Sequence, residues 1–344
     1  MKWLVLRVLG LVGNDSSRSL DFQSQFSRSY SFQSQFVIST KEKSSREARQ
    51  RLTPFLCKAT YEDFSFVEMT KTHKFITNQM KKELHIFFTC LMFYTRIPCP
   101  KNIDHNPDYL NKATRYFPFI VWSVGSISFL TFYVFAQFLS VEIAVILAII
   151  ASILTTGAFH EDGFADVCDG FGGGWTKEKI LMIMKDSAIG AYGAIGLVLL
   201  FLLKFKLLSE SISIFQIESY IGLLQIFLLF ISAHALSRLA AISIIFTHEY
   251  SRDDATSKSK PIAKKHSWKE ILGAFFFGLL PLLTLSYFQY QFLLILIPVF
   301  ITRYFLARYF QKWIDGYTGD CLGATQQVCE VVYYLSFLFI WKFI

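Results

Sequence analysis

After residue 115 the chain alternates long apolar stretches with short polar ones. Seven of these stretches approach the roughly 20 apolar residues that a helix needs to cross a bilayer. The third is predicted to end before Lys204 and Lys206, because charged side chains are rare inside the apolar layer. We therefore predict an all-α, polytopic integral membrane helix bundle. Its about seven transmembrane helices are predicted at residues 116–138, 141–159, 188–203, 218–246, 271–288, 291–308 and 328–344.

Residues 1–79 follow a different pattern and are rich in Ser, Gln and charged residues. Such a segment cannot bury a core and is predicted to be disordered or weakly helical. Alternatively, it is an extension upstream of a natural start at Met80, which opens directly into apolar sequence. Residues 80–344 are then a single membrane-embedded domain. The apolar run 85–95 is too short to span a bilayer, so it is predicted to be a short interfacial or re-entrant helix.

Composition agrees with a membrane protein. Of the 344 residues, 53% are hydrophobic and 17% are charged, whereas soluble domains have about 25% charged residues. The net charge of +8 favours attraction to anionic membrane lipid. Nucleic-acid binding is not expected, because no basic stretch is interleaved with aromatic residues. The six cysteines form no C-x-x-C pair, which argues against a disulfide framework.

Lys and Arg residues are unevenly distributed between the predicted spans. Thirteen lie in loops that fall on one side of the membrane, whereas the other side has Lys204, Lys206 and Lys342. By the positive-inside rule, the basic side faces the cytoplasm. The loops on that side are 97–115, 160–187, 248–270 and 309–327.

Four carboxylates occur within nine residues between the second and third spans: Glu161, Asp162, Asp166 and Asp169. Each would cost about 2.5–3.5 kcal/mol at the bilayer centre, so the stretch must lie at the membrane surface or in a polar cavity. The three aspartates are spaced by four and three residues and share one face if the stretch is helical. Converging carboxylates without a nearby cation favour a bound divalent ion, and Mg²⁺ suits such oxygen ligands.

Glycines and lysines follow these acids. Gly172, Gly173 and Gly174 would let the backbone approach a bulky anion and donate to phosphate. Lys177, Lys179 and Lys185 add positive charge. Acids for a metal and glycines for phosphate together indicate phosphoryl transfer involving a diphosphate. The alternative is an ordinary solvated loop with surface acids.

Four further residues are candidates with open alternatives. His160 is a general base, a partner of the acids, or a structural histidine. Asp186 caps the third span, which is the simpler interpretation, or joins the site. Arg238, one turn from His234 inside a span, faces the cytoplasm and holds a phosphate, or extends to the membrane interface. Asp320 is flanked by glycines and would complete the metal site from far along the chain.

The motifs resemble those of a known family. HEDGFADVCDGFGGG at 160–174, IMKDSAIGAYGAIGL at 183–197 and YTGDCLGATQQVCEV at 317–331 occur in the order and spacing of the cobalamin synthase family, the adenosylcobinamide-GDP ribazoletransferases. The opening segment 81–100, with the T-R-I-P element at 95–98, is similar as well. The resemblance covers about residues 80–344. Asp315 stands where the family more often has glycine. Lys185 stands where arginine is common, and a lysine keeps the positive charge but lacks the planar, forked guanidinium group.

The resemblance implies an inner-membrane enzyme of coenzyme B12 synthesis with its active site facing the cytoplasm. It would join adenosylcobinamide-GDP to α-ribazole or its 5′-phosphate and release GMP, with Mg²⁺ as cofactor. The catalytic candidates are then His160, Asp166 and Asp169, and the metal candidates are Glu161, Asp162, Asp166, Asp169 and Asp320. The substrate- and phosphate-binding candidates are Gly172, Gly173, Gly174, Lys185, Asp186, Arg238 and Thr318.

Two other functions remain open at this point. A CDP-alcohol phosphotransferase has the pattern D-x-x-D-G-x-x-A-R, which Asp166, Asp169 and Gly170 begin, but Ala-Arg does not follow. A cation-coupled transporter would place its carboxylates inside spans rather than between them. A homo-oligomer is also open, because Gly190, Gly193 and Gly196 allow a neighbouring helix to approach closely.

Overall fold

The computed structural model describes residues 76–103, 106–251 and 266–343. Within them the chain is built from helices, with one isolated β-bridge between Tyr250 and Tyr317. The extension predicted for residues 1–79 falls mostly outside the described residues. The helices are α1 (76–94), α2 (Pro107–Ala113), α3 (Phe117–Ala136), α4 (Val141–Thr156), α5 (Phe159–Gly173), α6 (Lys177–Ile183), α7 (Ala191–Ser213), α8 (Tyr220–Ile245), α9 (Trp268–Ser286), α10 (Leu296–Ile314) and α11 (Gly319–Trp341).

The described part of the chain contains five helices long and apolar enough to cross a membrane. A sixth span results if α4 and α5 are counted as one bent helix. This confirms an all-α polytopic bundle, although the predicted count of seven is not reached. The predicted span that is missing is 328–344, which lies in α11. The first half of α11 has a buried polar face with Gln326, Gln327 and Glu330, and α11 is not among the candidate spans.

Several predicted boundaries are wrong. The helix predicted at 85–95 already includes residues 76–84, so α1 is longer than expected. The second span does not run straight to 159, because the chain turns by 90° between α4 and α5. The third span continues through Lys204 to Ser213.

Helix α8 lies at the centre of the bundle and is almost entirely buried from Ile226 to Ile245. It packs against α3, α9 and α11, and α11 packs in turn against α5 and α7. Burial on all sides is expected of a mainly apolar helix that is surrounded by other helices.

The four basic loops lie at one end of the bundle. Lys177 pairs with Asp315 at 3.1 Å, and the backbone N–H of Ser251 donates to Tyr317 at 2.9 Å. The Thr114 hydroxyl lies 3.3 Å from Nδ1 of His266. These contacts link all four loops and place them together at one end of the bundle. Burial, with Tyr250 beside it, raises the pKa of the Tyr317 phenol.

Candidate functional site

The acidic stretch forms helix α5, as its spacing predicts. The chain turns sharply into this helix at Gly157 (φ 73°) and Ala158 (φ 62°), both in the left-handed region. The left-handed φ favours glycine at position 157, and a Cβ there would also displace the Arg96 side chain. We call α5 the acid helix.

The outer face of the acid helix carries Asp162 and Asp166. They are four residues apart and therefore project from the same face. Asp162 is exposed and Asp166 half-buried.

Asp320 lies beside the acid helix. A Cβ on Gly163 would stand 2.9 Å from the Asp320 Cα, and one on Gly323 would stand 3.1 Å from the His160 carbonyl oxygen. These two glycines let α5 and α11 cross closely. The crossing brings the Asp320 backbone against the acid helix at Gly163, within three residues of Asp162 and Asp166 along that helix, although Asp320 is more than 150 residues away in sequence.

Asp169 holds the next helix. Its two carboxylate oxygens accept the backbone N–H groups of Gly190 at 2.7 Å and Gly193 at 2.8 Å. Gly190 is the N-cap of α7 and Gly193 lies in its first turn, where a carboxylate satisfies free amides and interacts favourably with the helix dipole. Capping of α7 by Asp186 is therefore wrong, because the Asp186 carboxylate accepts from Ala188 within its own loop.

His160 and Glu161 face the inside of the bundle. His160 is 3% exposed and stacks on Phe117, with ring centroids 6.1 Å apart. It lies two positions before Asp162, about 200° around the helix, so His160 and Asp162 lie on opposite faces. Glu161 is 6% exposed and accepts a 2.8 Å hydrogen bond from the Gln327 amide. The structure therefore does not bring His160 and Glu161 to the outer acids.

Arg238 occupies neither of its two predicted positions. It is 1% exposed, and its guanidinium contacts Glu330 at 2.9 Å and Nδ1 of His234 at 2.8 Å. It neither faces the cytoplasm nor extends to the interface. Sequence reasoning overlooked its partner Glu330, and it interpreted Lys204, which pairs with Glu330 at 3.2 Å, as lying beyond the end of a span. The available signal was charges of both signs within apolar stretches, since intramembrane charges occur in pairs.

The remaining candidates have local roles in the structure. Gly172 and Gly173 end the acid helix and Gly174 caps it, and a Cβ on Gly172 would stand 2.6 Å from the Tyr192 ring. Thr318 caps α11 by accepting from the Cys321 N–H at 3.3 Å. Lys185 is exposed at the same end of the bundle.

The described residues contain no group of three or more His, Cys, Asp or Glu side chains already arranged to hold a metal. The donors on the outer face still fit Mg²⁺. That ion usually takes one or two protein carboxylates and completes its shell with water and substrate phosphates. Asp162, Asp166 and Asp320 supply hard oxygen ligands of this kind. Glu161 and Asp169 are engaged elsewhere, so the predicted five-acid metal set divides into separate groups.

Fold and site together define a polytopic α-helical membrane protein with a carboxylate surface at one end of the bundle. Comparison with known proteins is more specific. The family model for cobalamin-5-phosphate synthase matches residues 86–338. An adenosylcobinamide-GDP ribazoletransferase of Shewanella amazonensis is 45% identical over 262 residues, which cover 76% of this chain and 98% of the relative. One of Shewanella piezotolerans is 45% identical over 260 residues, 76% of this chain and 97% of the relative.

No solved structure matches the chain. The chain belongs to the cobalamin synthase family and is an enzyme of coenzyme B12 biosynthesis, a membrane-bound transferase. Family membership decides against the two alternative functions. The position of the carboxylates does not by itself exclude a transporter, because Glu161 and Glu330 do lie inside the bundle.

Proposed function

We propose that the outer face of the acid helix transfers a phosphate-linked corrinoid. The donor is adenosylcobinamide-GDP and the acceptor is α-ribazole or its 5′-phosphate. A ribose hydroxyl oxygen of the acceptor bonds to the phosphorus on the cobinamide side, the bond from this phosphorus to the bridging oxygen breaks, and GMP leaves with that oxygen. The observation that carries the proposal is the close approach of the Asp320 backbone to the acid helix at Gly163, between the positions of Asp162 and Asp166 in the sequence and at the end of the bundle that carries the basic loops.

Mg²⁺ would be held by two of these three aspartates. Bound there, it neutralises charge on the diphosphate and on the departing GMP. One carboxylate is left to accept the hydroxyl proton of the acceptor. A positioned carboxylate within hydrogen-bond reach is a suitable general base for this step. The residue that accepts this proton is Asp166 or Asp320, each of which is half-buried.

Lysines at the same end hold the substrate phosphates. Lys179 and Lys185 are exposed there, and an exposed lysine offers a compact positive charge to a phosphate. Lys177 is less suited, because its ammonium group pairs with Asp315. The lysines attract the nucleotide, and the aspartates align it.

We further propose that this end faces the cytoplasm and that the chain resides in the inner membrane. Thirteen basic residues lie on that side in the sequence, and cytoplasmic loops carry an excess of Lys and Arg. Anionic lipid attracts such loops to the membrane surface. A nucleotide-linked substrate dissolved in the cytoplasm then reaches the acid surface without crossing the bilayer.

The test is a reaction with isolated membranes, adenosylcobinamide-GDP, α-ribazole and Mg²⁺, in which GMP and the corrinoid product are both quantified. Equal amounts of the two are expected, and chelation of Mg²⁺ should abolish them. Asp166→Asn should lose turnover while the protein still accumulates in the membrane. Glu178→Gln, an exposed acid on the neighbouring α6, is the matched control. Absence of product with folded wild-type protein would falsify the proposal.

A further inference from the structure

Charged side chains from four helices meet inside the bundle. Glu161 of α5, Lys204 of α7, Arg238 of α8 and Glu330 of α11 are each at most 6% exposed. Two are acidic and two are basic, so the group is neutral as a whole. Buried charges are tolerated when they are paired and hydrogen-bonded. Glu330 accepts from both Lys204 and Arg238, which leaves Glu161 without a cation of its own in the described part of the chain.

Gln327 connects Glu161 to this group. Its amide oxygen accepts from the Lys204 ammonium at 2.7 Å, and its amide nitrogen donates to Glu161 Oε1 at 2.8 Å. The other oxygen of Glu161, Oε2, has no hydrogen-bond partner among the described residues. Gln327 is therefore the side chain that holds this carboxylate. The amide orientation is fixed, because one end must accept and the other must donate.

The connection fixes the rotation of the acid helix about its axis. Glu161 and Asp162 are consecutive, about 100° apart around the helix. Anchoring Glu161 inside the bundle therefore points Asp162 outward. Two turns later, Asp169 is held by the first turn of α7. Between the two anchors, the directions of Asp162 and Asp166 are set.

We propose that Glu161 is a positioning residue of the transferase rather than a metal ligand, and that Gln327 and Lys204 form its support. The inference rests on the proposed reaction at the outer acids. Groups that orient metal ligands without touching the metal typically change affinity or activity by about 10- to 100-fold when mutated. What position 161 supplies is a hydrogen bond and one negative charge in the interior, and both can be moved to position 327.

Three variants test this: E161Q, Q327E and the exchange E161Q/Q327E. The first leaves two cations facing one carboxylate, and the second places two carboxylates side by side. In the exchange, the amide introduced at position 161 can donate to the carboxylate introduced at position 327. That carboxylate also pairs with Lys204, so both the hydrogen bond and the neutral charge return. Each single variant should lower kcat by about 10-fold or more, and the exchange should recover most of that loss.

A second readout separates positioning from metal binding. The Mg²⁺ concentration for half-maximal rate should stay close to wild type in the exchange variant, whereas D162N should raise it. Rates are normalised to folded protein in the membrane. An exchange variant that is folded but as inactive as E161Q overturns the inference, and so does one that requires as much Mg²⁺ as D162N.

Failure of a variant protein to accumulate in the membrane also tests the inference. If a single variant is lost but the exchange accumulates and turns over, the inference is supported. An exchange variant that does not accumulate overturns it, because a restored bond and neutral charge should suffice for folding. Wild-type protein without product contradicts the proposed reaction instead, so the two failures are distinguishable.

Discussion

The two faces of the acid helix carry the same kind of residue in different surroundings. Outward, Asp162 and Asp166 lie on an exposed or half-exposed surface. Inward, Glu161 joins a buried group in which Glu330 is contacted by Lys204 and Arg238. A carboxylate in the interior must have its partners built into the chain, because water cannot solvate it. A carboxylate at the surface remains available to a metal and a substrate.

Acid spacing alone therefore does not define a site. Asp169 shares a helix face with Asp162, yet its oxygens are used by α7. Interior acids and Asp169 hold the helices in place, and the outer acids carry the chemistry. Removing Glu330 should mainly reduce stability, removing Glu161 should act on turnover through the orientation of the acid helix, and removing an outer acid should reduce turnover directly.

The largest expected effect comes from the interior. Glu330→Gln leaves Lys204 and Arg238 buried without their carboxylate, and removal of one partner of a buried pair costs about 3–5 kcal/mol. We expect a strongly lowered melting temperature in detergent, or no accumulation. Arg238→Gln should also destabilise, since it leaves Lys204 as the one cation of this buried group beside the two carboxylates Glu161 and Glu330. A Glu330→Gln protein with the melting temperature of the wild type would contradict the structural role of the interior group.

The next effect is on turnover at the outer face. Asp162→Asn should reduce product formation at fixed Mg²⁺ by about 100-fold, the scale of losing one electrostatic group at the reacting centre. Melting temperature should be nearly unchanged, because Asp162 is exposed. Excess Mg²⁺ should restore part of the rate. A variant that melts early and keeps its turnover would place Asp162 with the interior acids instead.

A smaller effect is expected where the acid helix meets α7. A Cβ on Gly193 would overlap the Asp169 carboxylate, so Gly193→Ala should destabilise by about 1–2 kcal/mol. The control is Gly173→Ala, whose Cβ would meet the Ile183 side chain at an ordinary 3.4 Å. Thermal unfolding of both variants in the same detergent makes the comparison. Equal melting of the two would mean that the α7 contact does not hold Asp169.

The smallest effect belongs to an exposed pair. Lys206 and Glu210 are 2.9 Å apart on α7, with both side chains about half exposed or more. Such i,i+4 pairs contribute about 0.3–0.5 kcal/mol. Glu210→Gln should therefore leave melting almost unchanged, in contrast to Glu330→Gln. A large loss here would show that carboxylate removal is harmful regardless of burial.

Most spans could be predicted from the sequence because apolar run length reports directly on membrane crossing. Residues 116–138 and 218–246 correspond closely to α3 and α8. The prediction at Lys204 was wrong, because a charge was taken as the end of a span. Lys204 lies within α7 and is 5% exposed. Its partner Glu330 comes from α11, far along the chain, and local pattern carries no information on such pairing.

The site was predicted in part for the same reason. Helical spacing correctly put Asp162 and Asp166 on one face, and family motifs pointed to Asp320. Periodicity cannot tell which neighbour covers a helix face, so it did not separate Asp169 from the outer acids. Periodicity also did not show that Gly163 lets the acid helix cross close to α11.

The shortness of α4 has a consequence for the surrounding lipid. Its 16 residues rise about 24 Å, less than a hydrocarbon layer of about 30 Å. Ile143, Ile146, Ile150 and Leu154 are 44–64% exposed along it, as expected of a lipid-facing surface. If α4 alone crosses the apolar layer, this hydrophobic mismatch should thin the bilayer beside α4 or set the acid helix below headgroup level. In both cases we expect the acid helix to lie in a depression of the membrane, and turnover to depend on lipid chain length.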